Sequence, residues 1–171
     1  SPLDFTGPAR LGLEVNTVTG NVKLVNSFDE DFSTNYYRIT SAGNSLNAAT
    51  WNSLDAQDYD AIGPGIGEGW DEVGGARASV LAEAFLQGES TLSPDASVSI
   101  GRAYDTSVGA EDLVFEYWDL ALGVVSEGPV TYVSDQDITG DFDGDGDVDG
   151  ADFLAWQTGF GLTTGASLAD G

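Results

Sequence analysis

Six aspartates, Asp141, Asp143, Asp145, Asp147, Asp149 and Asp152, stand in the run DFDGDGDVDGAD with the spacing of a calcium loop. Calcium is a hard cation that takes about six to eight oxygens at roughly 2.3–2.6 Å. A loop of about twelve residues supplies them from positions 1, 3, 5, 7, 9 and 12. Here those positions are Asp141, Asp143, Asp145, the backbone carbonyl of Asp147, Asp149 (directly or through water) and Asp152. Gly146 falls where the loop must turn sharply, and Val148 where an apolar residue plugs the small core beneath it. Asp152 takes the place that a helix–loop–helix site gives to Glu, so the loop has to close more tightly to chelate with both oxygens. Without metal the six carboxylates repel one another, and folding of this module is expected to be coupled to Ca2+.

Other chemistry is sparse. The chain has no His, Cys or Met, which removes Ser–His–Asp and Cys–His nucleophiles and every zinc site built on His or Cys. A glycosidase needs two carboxylates roughly 5–10 Å apart. Asp58 with Asp60 and Asp71 with Glu72 are the loop pairs to consider, but no context singles either out, and the chain reads as a non-enzyme. Further calcium sites could lie at Asp29–Glu30–Asp31 or among Asp55, Asp58 and Asp60, neither with loop spacing. Five Lys/Arg against 29 Asp/Glu give a net charge of −24, which repels nucleic acid and anionic lipid and attracts divalent cations. The acidity and the loop place the protein outside the cell or on its surface, where calcium is plentiful; a cytosolic calcium buffer is the alternative. No apolar run is long enough to span a membrane, so no membrane insertion is expected in this segment. No Asn-x-Ser/Thr sequon occurs, and the absence of Met makes Ser1 a processed terminus or a trimmed one.

The elements that must carry the loop read as β. Residues 1–9 form an extended arm. Leu11, Leu13 and Val15 alternate with Gly12 and Glu14, a turn follows near Thr19–Gly20, and Val22 and Leu24 resume, the signature of a hairpin. Residues 27–35 read as a loop, Tyr36–Ala42 as a strand, and 46–54 as a short helix carrying Trp51. A long Gly- and Asp-rich loop spans 55–75. Strands are expected at 80–86, 96–102, 113–118 and 128–133. Residues 78–87 suit a helix by propensity, and by alternation a strand buried on both sides, with Leu81, Glu83, Phe85 and Gln87 on one. The pattern predicts an all-β, antiparallel β-sandwich over 10–133, jelly-roll-like, then a linker over 134–140 and a calcium module over 141–171. Ala151–Thr158 makes at most two helical turns, with Phe153, Trp156 and Gln157 on one face, and no helix can precede the loop.

A calcium loop ending in Asp, with a following helix and no entering helix, resembles a type I dockerin repeat. The run GDFDGDGDVDGADFLAWQTGFG (140–161) is similar to the dockerin-like tails of secreted planctomycete proteins. Upstream, LEVNTVTG (13–20), VKLVN (22–26), YYRITS (36–41) and DLVF (112–115) resemble the β-sandwich that precedes such tails, as do Leu46, Trp51–Leu54, Leu81–Glu83, Leu92 and Ile100–Gly101. The resemblance implies export and a surface or matrix role, and no activity. It pairs two repeats where this sequence has one, so the polypeptide is expected to continue or to be completed by another chain. Self-association into a head-to-tail filament through the terminal segments is one expected role. A polysaccharide or a cohesin-like partner is the other, with Trp51, Trp70, Trp118, Tyr59 and Tyr104 as possible sugar platforms. Trp70 is the expected exposed one and Trp118 the expected core residue.

Overall fold

The computed structural model describes residues 10–134, and the chain divides into two units after Ser134. Within the described residues the protein is all-β and has no helix. The strands are β1 (Leu11–Asn16), β2 (Val22–Asn26), β3 (Phe32–Thr34), β4 (Tyr36–Ser41), β5 (Asp71–Glu72) and β6 (Val80–Ala84). They continue with β7 (Ser90–Leu92), β8 (Ser97–Ser99), β9 (Leu113–Asp119), β10 (Val124–Gly128) and β11 (Val130–Val133). One sheet runs β11-β1-β2-β8, a second β10-β9-β4-β6-β5, and β3 pairs with β7 in a short ribbon. All pairs are antiparallel except β1 with β11.

The alternation read from the sequence sets the first hairpin. Leu13 faces Leu24 and Val15 faces Val22, and these four are buried. Asn16 Oδ1 accepts the Val18 and Thr19 N–H groups, which shapes the connecting turn. The turn closes on Gly20 at φ +80°, where a Cβ would lie 2.5 Å from the Tyr104 carbonyl oxygen. On the second sheet Tyr37, Ile39, Leu81, Phe115 and Tyr117 point inward and join Leu11, Leu13, Val22, Leu24 and Val98 of the first sheet in one core. Two sheets sharing a single apolar interior are consistent with a β-sandwich. Each such fully buried side chain contributes about 1.5–3 kcal/mol.

Several expectations change. Residues 46–54 form no helix. Asn47 Oδ1 draws in the N–H groups of Ala49 and Thr50, and Leu46 and Trp51 bridge instead to Tyr104 and Gly101. Within 78–87 the chain forms strand β6 over Val80–Ala84 and no helix, with Leu81 and Glu83 buried, Phe85 buried just after the strand and Leu86 exposed. Two elements arise where only loop was read: β3 within 27–35, and β5 within 55–75. β10 was not anticipated at all. The Asp141–Asp152 loop and the helix read at Ala151–Thr158 lie outside the described residues, as does the arm over 1–9.

Candidate functional site

The six calcium-loop aspartates, Asp141, Asp143, Asp145, Asp147, Asp149 and Asp152, fall beyond Ser134, outside the described residues. Among the described residues no three carboxylates gather to hold a metal ion. Neither Asp29–Glu30–Asp31 nor Asp55, Asp58 and Asp60 is gathered into such a group. Asp58 and Asp60 instead occupy left-handed turn positions at φ +49° and +53°, a conformation that Asp tolerates better than most residues.

The carboxylates of this region hold the long loop in place. Glu83 of β6 is fully buried, and its two oxygens take three donors. Oε1 accepts the Asp55 N–H at 2.8 Å; Oε2 accepts the Leu54 N–H at 3.0 Å and the Tyr37 hydroxyl. Glu72 Oε1 accepts Ser53 Oγ at 2.8 Å, and Asp71 Oδ2 accepts the Gly67 N–H at 2.7 Å. The loop thus enters over Glu83 and returns over β5. Burial pushes the Glu83 carboxyl above the usual glutamate range, more than its three donors pull it down. Burial, and then the neighbouring Glu83 charge, push the Tyr37 hydroxyl well above its ordinary value. A cavity of about 110 Å³ lies within the loop, lined by residues such as Asp55, Asp58, Pro64, Ile66, Trp70 and Asp71.

The aromatic residues exchange the roles expected of them. Trp70 is only 2% exposed; its indole N–H donates to Ser90 Oγ at 2.8 Å, and its ring packs on Tyr37 and Phe85. Trp51 and Tyr104 are buried as well, while Tyr59 is half-buried. Trp118, expected in the core, reaches the surface as Tyr59 does. On β9 the buried positions are Leu113, Phe115, Tyr117 and Asp119, so Trp118 points to the opposite, outer face and is half-buried there. Tyr117 pairs with Tyr37, and Trp118 pairs with Val125, so half-buried Tyr36, Trp118 and exposed Val125 form one row across three strands. Beside them Arg38 and Glu116 make an ion pair at 2.6 Å. It is partly exposed and contributes little to stability.

The sheet edges differ in how they are guarded. β8 is short and covered, since Gln57 Nε2 donates to the Ser99 carbonyl and the Asn52 N–H to that of Ile100. β5 has two residues, both acidic. β11 starts behind Pro129 and returns its Tyr132 hydroxyl to the Leu113 N–H. β10 has β9 on one side and, among the described residues, no strand on the other. It exposes Val124 and Val125, with Leu122 exposed just before them.

No family model matches the chain, and no curated protein or solved structure matches it.

Proposed function

We propose that the protein is a non-catalytic, extracellular calcium-binding structural protein, a subunit of a surface fibre or matrix assembled head to tail through its terminal segments. On this reading a jelly-roll-like sandwich carries a C-terminal calcium loop–helix module of half-dockerin, EF-hand-like type. The observation that carries it is the aspartate ladder Asp141–Asp152, in which every liganding position of the loop bears an acid and Gly146 stands at the sharp turn. The β10 edge, which no described strand covers, supports the assembly part, because natural sandwiches blunt such edges unless they are to be covered.

Calorimetric titration of the full chain with calcium tests the site. We expect binding that Asp143→Ala and Asp145→Ala together weaken by about 100-fold, the size that loss of outer-shell partners alone can reach. Negative-stain electron microscopy of the same protein tests the assembly: filaments in calcium should fray in chelator. No calcium uptake at millimolar concentration would remove the site. Dispersed monomers in both conditions would remove the fibre.

A second reading is a carbohydrate-binding or dockerin-type anchoring module, with a polysaccharide or a cohesin-like domain as partner. The outward pair Tyr36 and Trp118 favours the sugar form, since adjacent aromatic faces with a charged pair beside them suit a pyranose ring. On a glycan array Trp118→Ala should lower binding by about tenfold or more, some 1.4 kcal/mol. An array on which the native protein binds nothing ends that reading.

A further inference from the structure

We infer that the tip of the 55–75 loop is a docking surface for a partner protein that presents an apolar face bounded by Lys or Arg. Among the described residues the three most exposed large aliphatic side chains are Ile66 at 85%, Leu86 at 73% and Ile62 at 69%. All three belong to one place. The Ile62 N–H donates to the Glu68 carbonyl at 2.7 Å and the Glu68 N–H to that of Gly65 at 3.0 Å, which folds 62–68 back on itself. Leu86 lies against this turn. The Gln87 N–H donates to the Gly67 carbonyl, Gln87 Nε2 donates to that of Ile66, and a Cβ on Gly67 would sit 3.3 Å from the Leu86 Cβ. Aliphatic side chains exposed together in this way mark an interaction surface.

Charge decides what covers it. Glu68 Oε2 accepts the Gly65 N–H and Asp71 Oδ2 the Gly67 N–H, each at 2.7 Å, so a carboxylate is fixed to the residue on either side of Ile66. Glu68 Oε1 and Asp71 Oδ1 accept no hydrogen bond among the described residues. Exposed Asp55, Asp58, Asp60 and Glu72 stand on the same loop, and residues 55–75 contain no Lys or Arg. An aliphatic centre among uncompensated carboxylates is matched by an aliphatic face bounded by cations, whose N–H groups make charge-assisted bonds to the two free oxygens.

The chain itself supplies no such face. Residues 1–9 and 135–171 hold acids and no Lys or Arg, so neither segment complements the tip. A second copy brings a net charge of −24 and five basic residues. Of these, Arg38 is paired with Glu116, and Arg77 is turned to the Gly74 and Gly75 carbonyls. The tip is also held in place before any partner arrives. Glu83 fixes the start of the loop at Leu54 and Asp55, and Ser53 fixes its end at Glu72, so little loop freedom is lost on docking.

Calorimetric titration of the full-length protein in calcium with an amphipathic helical peptide of leucine and lysine, and with its leucine–glutamate counterpart, tests the surface. We expect the lysine peptide alone to bind. Ile66→Ser with Leu86→Ser, which leaves the charge unchanged, should weaken that binding by about tenfold or more. Glu68→Gln with Asp71→Asn, which keeps an acceptor for each glycine N–H, should weaken it by a similar factor. Both double variants should keep the native thermal midpoint. A lysine peptide that does not bind would overturn the proposal. Binding that the serine variant leaves unchanged would overturn it too, since attraction of a cation to an acidic chain then suffices. A native dimer in sedimentation velocity that the serine variant loses would make the occupant a second copy. Co-sedimentation with phosphatidylcholine vesicles, again lost in the serine variant, would make it a lipid surface; either result overturns the protein partner.

Discussion

Replacing Glu83 by alanine should lower the thermal unfolding midpoint of the sandwich by about 10–20 °C, from a loss of roughly 3–5 kcal/mol. The carboxylate takes the Tyr37 hydroxyl and the Leu54 and Asp55 N–H groups, and both Glu83 and Tyr37 are fully buried. Alanine leaves the buried Tyr37 hydroxyl and Leu54 N–H without an acceptor, at about 1–3 kcal/mol each, whereas the N–H of exposed Asp55 turns to water. Glu83→Gln should cost less, about 1–3 kcal/mol, because its amide oxygen keeps one side of the network while its NH2 faces an N–H on the other. The glutamine variant also isolates a pH effect. The unfolded chain gives up this proton at the ordinary glutamate value, whereas burial makes the folded chain hold it to higher pH. Between those two values the folded state binds more protons, so Glu83's contribution is full below the ordinary value and lost as pH rises through the folded one. Denaturant titrations across that window should give a falling stability in the native protein. The fall should be shallower in Glu83→Gln. Parallel profiles would mean that Glu83 does not titrate in the folded state differently from the unfolded.

The position of Glu83 explains where sequence reading succeeds here and where it stops. The first hairpin was legible because β1 and β2 each bury one face and leave the other mostly half-buried, and Gly20 marks their turn. Residues 78–87 were ambiguous because helix formers such as Ala and Glu dominate them. What decides for strand is non-local: pairing with β4 and a set of buried donors that only an acid on the core face can satisfy. The signal was present as Glu83 flanked by Leu81 and Phe85 two residues to either side. The Gly- and Asp-rich composition of 55–75 correctly marked a loop and wrongly implied that Trp70 is exposed. A loop whose start is held by Glu83 and whose end, Glu72, is held by Ser53 folds back far enough to bury its one indole.

β10 was missed for the opposite reason. Its residues Val124, Val125, Ser126 and Glu127 show no buried–exposed alternation: at an edge that no described strand covers, both valines stay accessible. β3 and β7 are three residues each, too short for any period to register. The calcium ladder was the reverse case. Its ligand spacing is local, so Asp141–Asp152 could be read without knowing any partner strand.

The second large effect is expected at Gly128, where β10 leaves one sheet and the chain enters the other through Pro129. Gly128→Ala should destabilise the sandwich by about 3 kcal/mol, the upper end for overpacking, with a midpoint fall of roughly 10 °C. A Cβ there would lie 2.2 Å from the Leu11 carbonyl oxygen and 2.8 Å from the Phe115 ring. Neither obstacle can step aside: Leu11 is backbone of the first strand, and Phe115 is fully buried opposite Gly128 on β9. The crossing is close because β1 passes beside the same corner, with a Cβ on Gly12 meeting the Pro129 carbonyl at 3.3 Å. Gly123→Ala, five residues earlier, separates contact from backbone strain. Gly123 has a φ of +67° and open space around it, so alanine there costs only the left-handed conformation, about 1 kcal/mol. Gly128 has no positive φ, so its whole cost is steric. Equal midpoints for the two variants would mean that the β1–β10 crossing is loose enough to admit a methyl group. A clearly larger fall for Gly128→Ala than for Gly123→Ala would establish that the two sheets are locked at this corner.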